Sequence, residues 1–152
     1  MSRLRAATPA DFPAMIELGR EMHAQSNFAP MDYDPEKIAA TLQDLLDESQ
    51  FAVVAEADGE IVGYMLGMIL PSWFGWDYVA NDLNLYVRHK HAMTAVKLIR
   101  AFVAWARMAG AKQIRPGVST GSEAAQRLYE AYGFEPAGKA YVLNVYEMEE
   151  AA

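Results

Sequence analysis

The sequence predicts a single α/β domain built on a mixed sheet, with elements in the order β-α-α-β-β-β-α-β-α-β. Three observations carry this expectation. The 152 residues are 53% apolar and 22% charged, the balance of a globular chain that can bury one core without disulfides or metals. Two β-rich runs flank Asp58-Gly59, a dipeptide that favours a tight hairpin. A long amphipathic pattern over 93–109 stops at Gly110, as a helix does when glycine follows its last turn.

Taken in order, a short strand over Leu4–Ala7 runs into Thr8-Pro9-Ala10-Asp11, a helix start with Thr8 as N-cap and Pro9 at the first helical position. Phe12, Met15, Ile16, Gly19 and Met22 then recur at helical spacing. Asp34-Pro35-Glu36 starts a second helix, with Ile38, Leu42, Leu45 and Leu46 on one face and an end near Glu48. The runs Phe51–Ala57 and Glu60–Leu70 form an antiparallel pair around Asp58-Gly59. Pro71-Ser72-Trp73-Phe74-Gly75-Trp76 interrupts the pattern before a strand over Tyr78–Val87.

The basic loop Arg88-His89-Lys90-His91 leads into the long helix, whose apolar face carries Leu98, Ile99, Phe102 and Val103. Lys112–Val118 reads as a strand, so the unit spanning that helix should be a parallel crossover. Ser119–Ser122 reads as a capping loop, Ala124–Tyr132 as a helix closed by Gly133, and Tyr141–Met148 as the last strand.

Composition narrows the function classes. The chain has no cysteine, so disulfide scaffolds, thiol nucleophiles and cysteine-based zinc sites are excluded, and a cytoplasmic location is expected. The N-terminus lacks an apolar signal core, and the longest apolar run, Ile61–Pro71, is too short to span a bilayer, so no membrane association is expected. A net charge of −7 opposes nucleic-acid backbones and mildly favours cationic ligands such as amines. His23, His89 and His91 lack metal-ligand spacing, and no metal is expected. Nucleophile-elbow, Walker and dinucleotide-binding glycine motifs are missing.

The segment with chemical content is Asp82-Leu-Asn-Leu-Tyr-Val87 and the loop that follows it. A strand feeding a helix N-terminus presents free backbone N–H groups and a positive dipole end, which together suit a phosphate. The same pattern also fits an ordinary strand-to-helix turn with a solvated basic loop.

Leu85-Tyr86-Val87, the loop, the helix ending at Gly110 and Ala125-Gln-Arg-Leu-Tyr129-Glu-Ala-Tyr-Gly133-Phe134 together resemble the GNAT (GCN5-related N-acetyltransferase) superfamily. The opening Arg5-Ala-Ala-Thr8-Pro-Ala-Asp11 and the hairpin Asp58-Gly59-Glu60-Ile-Val-Gly63 extend the resemblance to almost the whole chain, 1–152, as one domain. It implies a mostly antiparallel sheet with helices on both faces and acetyl-CoA as co-substrate, bound in a V-shaped opening between the strand ending at Val87 and the strand after Lys112. It implies further that backbone of Leu85, Tyr86 and Val87 pairs with the pantetheine arm and polarises the thioester carbonyl. The pyrophosphate would lie on the loop His91, Ala92, Met93, Thr94 and Ala95. That loop departs from the family pattern of an Arg or Gln with spaced glycines, and is about two residues shorter.

By the same resemblance Tyr129 matches the phenol that protonates the departing thiolate, although a packing role would also account for it. Ser122 stands where the family often has a cofactor-contacting asparagine, and also reads as an N-cap. Asp82 is the candidate general base, and a strand-end acid in solvent is the alternative. If Leu83, Leu85 and Val87 share one face of their strand, Asp82, Asn84 and Tyr86 share the other. Trp73, Phe74, Trp76 and Tyr78, with Phe28 and Tyr33, resemble segments that form the acceptor pocket; capping the core or a dimer contact would also use such aromatics.

The resulting expectation is an acetyl-CoA-dependent N-acyltransferase that acetylates a small-molecule or peptide amine. A homodimer is compatible with it, as dimers are frequent in the family. The alternative is a non-catalytic module of the same fold that binds acyl-CoA or a protein.

Overall fold

Asp58 and Gly59 both adopt positive φ, 52° and 79°, the backbone that a two-residue hairpin turn requires. They join β2 (Phe51–Ala57) to β3 (Glu60–Pro71), and the sheet grows from this pair. The computed structural model describes residues 1–145. β1 (Arg3–Ala6) pairs antiparallel with β2, β4 (Tyr78–Val87) antiparallel with β3, and β5 (Ala111–Arg115) parallel with β4, giving the order β1-β2-β3-β4-β5. The parallel pair is the one joined through a helix, as expected.

Side chains alternate across the strands, so the two faces of the sheet collect different helices. Val54, Tyr64 and Leu66 face α1 (Phe12–Gln25) and α2 (Pro35–Asp47), meeting Met15, Leu18, Leu42 and Leu45. Phe51, Met65 and Ala80 face α3 (Met93–Met108) through Leu98, Phe102 and Ala106. At Gly67 the sheet meets α3 so closely that a Cβ would overlap the Phe102 ring. α4 (Glu123–Tyr132) packs on α3 through Tyr129, against Ile99 and Val103.

Local signals explain the helix ends. The Asp34 side chain accepts from the amides of Glu36 and Lys37 at the start of α2, and Ser122 accepts from Ala125 at the start of α4. Gly133 closes α4 at φ 119°. Asp11 receives the Thr8 amide and both terminal nitrogens of Arg5, at 2.7 and 2.8 Å; Arg5 also reaches Glu56 and so ties the entry of α1 to β2.

The fifth strand stops at Arg115 rather than Val118, because Pro116 has no N–H to continue the ladder. The expected last strand, Tyr141–Met148, is not formed over 141–144; Tyr141, Val142 and Leu143 stand exposed there, and Tyr146, Glu147 and Met148 lie outside the described residues.

Candidate active site

β4 and β5 pair only from Tyr78–Ala111 to Asn81–Arg115. Beyond Asn81, β4 has no partner on that side among the described residues, so Asp82–Val87 borders a V-shaped gap with an open backbone edge. Asp82 stands at the apex, its Oδ1 accepting the Gly117 N–H at 2.9 Å from the chain that leaves β5.

The ladder between β3 and β4 slips here. Leu66 faces Asn84 but Gly67 faces Asp82, so Leu83 is an extra residue in β4. This corrects the expected alternation. Asp82 shares the α3 face with Leu85 and Val87, while Leu83 and Asn84 both line a cavity on the α1/α2 face. The reversal follows from the bulge, which restarts the two-residue period on its far side.

Burial pushes the Asp82 carboxyl up to about 6, against the opposing pull of the Gly117 amide and its own. Tyr129 lies on the same side. Its ring is buried, edge-on to Phe134, and its hydroxyl has no hydrogen-bond partner among the described residues. Burial, and then the charge of Asp82, raise its phenol above the usual range, so it stays protonated. The fold thus brings together two groups 47 positions apart in sequence, one able to take a proton and one able to give it.

The segment after β4 forms one 3₁₀ turn, His89–His91, before α3 begins at Met93. Ala92 is the N-cap and offers no side-chain oxygen; Ala92 and Met93 are exposed. The His91 amide donates to Arg88 O and the Ala95 amide to Ala92 O. Thr94 is buried, with its hydroxyl 2.6 Å from that of Ser2 and turned inward. Arg88 pairs with Glu21 of α1 at 3.0 Å. What this segment presents outward is therefore backbone at Ala92 and Met93 and the exposed side chains of His89 and Lys90. Ser122 caps α4 with its hydroxyl.

On the opposite face of β4 lies a cavity of about 500 Å³ between α1, α2 and the strand. Phe28 and Tyr33 line it; Trp73 and Trp76 do not. Those two tryptophans sit at the β3–β4 tip, 91% and 88% exposed, with Phe74 edge-on to Trp73. The Asn27 amide donates to Ser119 O at 3.0 Å, tying the α1–α2 loop to the segment before α4 across the gap.

Three cavity residues escaped sequence reasoning. His23 follows Gly19 by four residues on the inward stripe of α1, a signal that was legible. Asn84 and Tyr64 were hidden by the bulge and by burial in the sheet. Asn84 Nδ2 donates to the Tyr64 hydroxyl at 2.7 Å, while Asn84 Oδ1 and His23 Nε2 are buried without partners among the described residues. Among the described residues no group of three or more His, Asp or Glu is placed to hold a metal, and no helix is long and apolar enough to cross a membrane.

This architecture, a split mixed sheet with an open strand edge leading to a helix N-terminus, matches solved structures of acetyltransferases. Solved structures agree over nearly the full length. A predicted acetyltransferase with acetyl-CoA from Clostridium acetobutylicum superposes with a TM-score of 0.78 at 16% identity, covering 97% of this chain and 98% of its own. The ribosomal-protein-alanine N-acetyltransferase of Brucella melitensis biovar Abortus 2308 gives 0.71 at 20% identity, with 95% and 99% covered. The glucosamine-6-phosphate N-acetyltransferase of Arabidopsis thaliana gives 0.76 at 12%, with 95% and 98% covered. At such identities the likeness is one of fold. No curated protein sequence matches. The sequence profile of the Acetyltransferase (GNAT) family matches residues 14–134, and the chain belongs to that family. Acetyl-CoA is the family's co-substrate.

Proposed function

We propose that the protein is an N-acetyltransferase that moves the acetyl group of acetyl-CoA directly to a primary amine within a ternary complex. The observation that carries this reading is the gap itself: Asp82 and Tyr129 stand beside the open edge of β4, and a cavity large enough for a small acceptor lies across it.

Bound acetyl-CoA supplies an activated thioester. Backbone of Leu85, Tyr86 and Val87 would hold the pantetheine arm along the open edge and stabilise negative charge on the carbonyl oxygen. Ala92 and Met93, at the N-terminus of the 16-residue α3, would receive the pyrophosphate with His91 and Ala95 beside them. The Thr94 hydroxyl, held by Ser2, contributes through helix packing. Ser122 borders the cofactor by way of the α4 cap.

In this reading the acceptor nitrogen forms the new C–N bond as the C–S bond breaks. Asp82, with a pKa of about 6, takes the amine proton, and Tyr129 protonates the leaving sulfur. Phe28 and Tyr33 hold the acceptor body in the cavity. Trp73 and Trp76, at the far hairpin tip, meet only acceptors large enough to extend there.

A second reading, a non-catalytic module that binds acyl-CoA or a protein, is favoured by the short His91–Ala95 turn and the inward Thr94. One experiment separates the two. Thermal unfolding with millimolar acetyl-CoA, against ATP at equal concentration, is followed by thiol release with amines. A stabilisation specific to acetyl-CoA together with amine-dependent thiol release supports the transferase; stabilisation without release supports the module.

A further inference from the structure

Resting on the transferase reading, we infer that the cavity between α1, α2 and β4 selects a small primary amine with a compact apolar body, its nitrogen received by Asn84 and His23. The lining is mainly apolar: Met15, Ile38, Leu42 and Leu66 form its base, with the rings of Phe28 and Tyr33 beside them. A volume of about 500 Å³ suits a ligand of small-molecule size.

Charge argues against a phosphorylated acceptor. Lys37 is the one lysine or arginine lining the cavity, against Asp32 and Asp34, and the chain as a whole is negative. A phosphoryl group would meet more repulsion than attraction there, whereas an alkylammonium is favoured on arrival. Geometry argues against an extended polypeptide. The Asn27–Ser119 backbone bond ties the α1–α2 loop to the segment before α4, a link that a peptide running along this face would have to pass.

The nitrogen's place is marked by two unanswered polar atoms. One end of the Asn84 amide is held by the Tyr64 hydroxyl, and its Oδ1 has no partner among the described residues. His23 Nε2 is likewise unpartnered, with its ring 5.1 Å from that of Tyr33. An unmet buried polar atom carries a desolvation cost that an amine N–H can offset. Asn84 and His23 both line the cavity, together with the half-exposed Leu83 and Phe28. Asn84 directly follows the extra residue of β4, within the stretch of the strand that borders the gap.

The test measures binding by calorimetry without acetyl-CoA, and transfer by thiol release, for three probes. They are 2-phenylethylamine, a peptide with N-terminal alanine, and glucosamine 6-phosphate. The expected result is at least about tenfold tighter binding of 2-phenylethylamine than of the other two. Asn84→Leu and His23→Phe are each expected to weaken it about tenfold, with acetyl-CoA affinity unchanged. Preference for the peptide or the sugar phosphate overturns the inference, as does unchanged amine affinity in the variants. If Asn84→Leu fails to fold, His23→Phe carries the comparison. Amine binding without transfer would retain the inference and reject the transferase, while transfer to the peptide alone would do the reverse.

Discussion

The Asp82 carboxylate accepts the backbone N–H of Gly117 at 2.9 Å, bridging β4 and the segment that leaves β5 where the two part. The same group is largely buried, and burial outweighs this bond in setting its pKa of about 6, above the ordinary 3.8. An acid whose folded pKa is raised stabilises the fold fully below its unfolded value, and this contribution is lost as pH rises through the folded value.

Wild-type protein should therefore lose roughly 1–3 kcal/mol between pH about 4 and about 6 from this residue. Asp82→Asn keeps an oxygen for Gly117 and removes the titration. Its urea midpoint should exceed that of wild type at pH 8 and match it at pH 4. If transfer uses this base, the acid limb of kcat near pH 6 disappears in the variant; a retained limb would assign the base elsewhere.

Tyr129→Phe should lower kcat by roughly 10²-fold while leaving acetyl-CoA affinity unchanged, the split expected when a proton donor to the leaving group is removed. Stability should hold or rise by up to about 1 kcal/mol, because the deleted hydroxyl has no partner among the described residues. Steady-state kinetics and calorimetric titration read the two effects separately. Full turnover in the variant would leave Tyr129 as a packing residue only.

Gly67→Ala places a methyl group into the ring of Phe102, at the closest approach of β3 and α3. Overpacking there should cost about 1–3 kcal/mol, seen as a lower urea midpoint. Wild-type stability would mean that α3 shifts away from the sheet more easily than its packing indicates.

The Arg5 guanidinium holds the Asp11 carboxyl at about 2. Here the folded pKa is lowered, so the pair contributes above pH 3.8 and is lost as pH falls through about 2. Arg5→Met should cost roughly 1–3 kcal/mol at pH 7 and flatten the stability curve in acid. A melting curve unchanged at pH 7 would show that Glu56 and Asp11 find other partners.

The fold was legible where local chemistry is decisive. Asp58-Gly59 demanded a hairpin, Asp34 and Ser122 announced two helices, and the spacing of Leu98, Phe102 and Val103 marked a helix with one buried face. The site was less legible, because its arrangement depends on one inserted residue. Leu83 carries nothing in its own chemistry that announces a bulge, yet it puts Asp82 and Asn84 on opposite faces of the strand. The inward turn of Thr94 was hidden for a similar reason: its partner Ser2 is 92 positions away. His23 could have been found by extending the inward stripe of α1 one step beyond Gly19.

The hairpin tip gives the molecule an optical property of its own. Of three tryptophans, Trp73 and Trp76 stand almost wholly in water, while Trp105 packs against the rings of Phe51 and Phe102. Intrinsic fluorescence of the intact protein should therefore be dominated by red-shifted emission from this solvent-facing loop and respond weakly to unfolding of the core. Replacing both tip residues with phenylalanine would leave Trp105 as a single reporter of whether α3 is docked on the sheet.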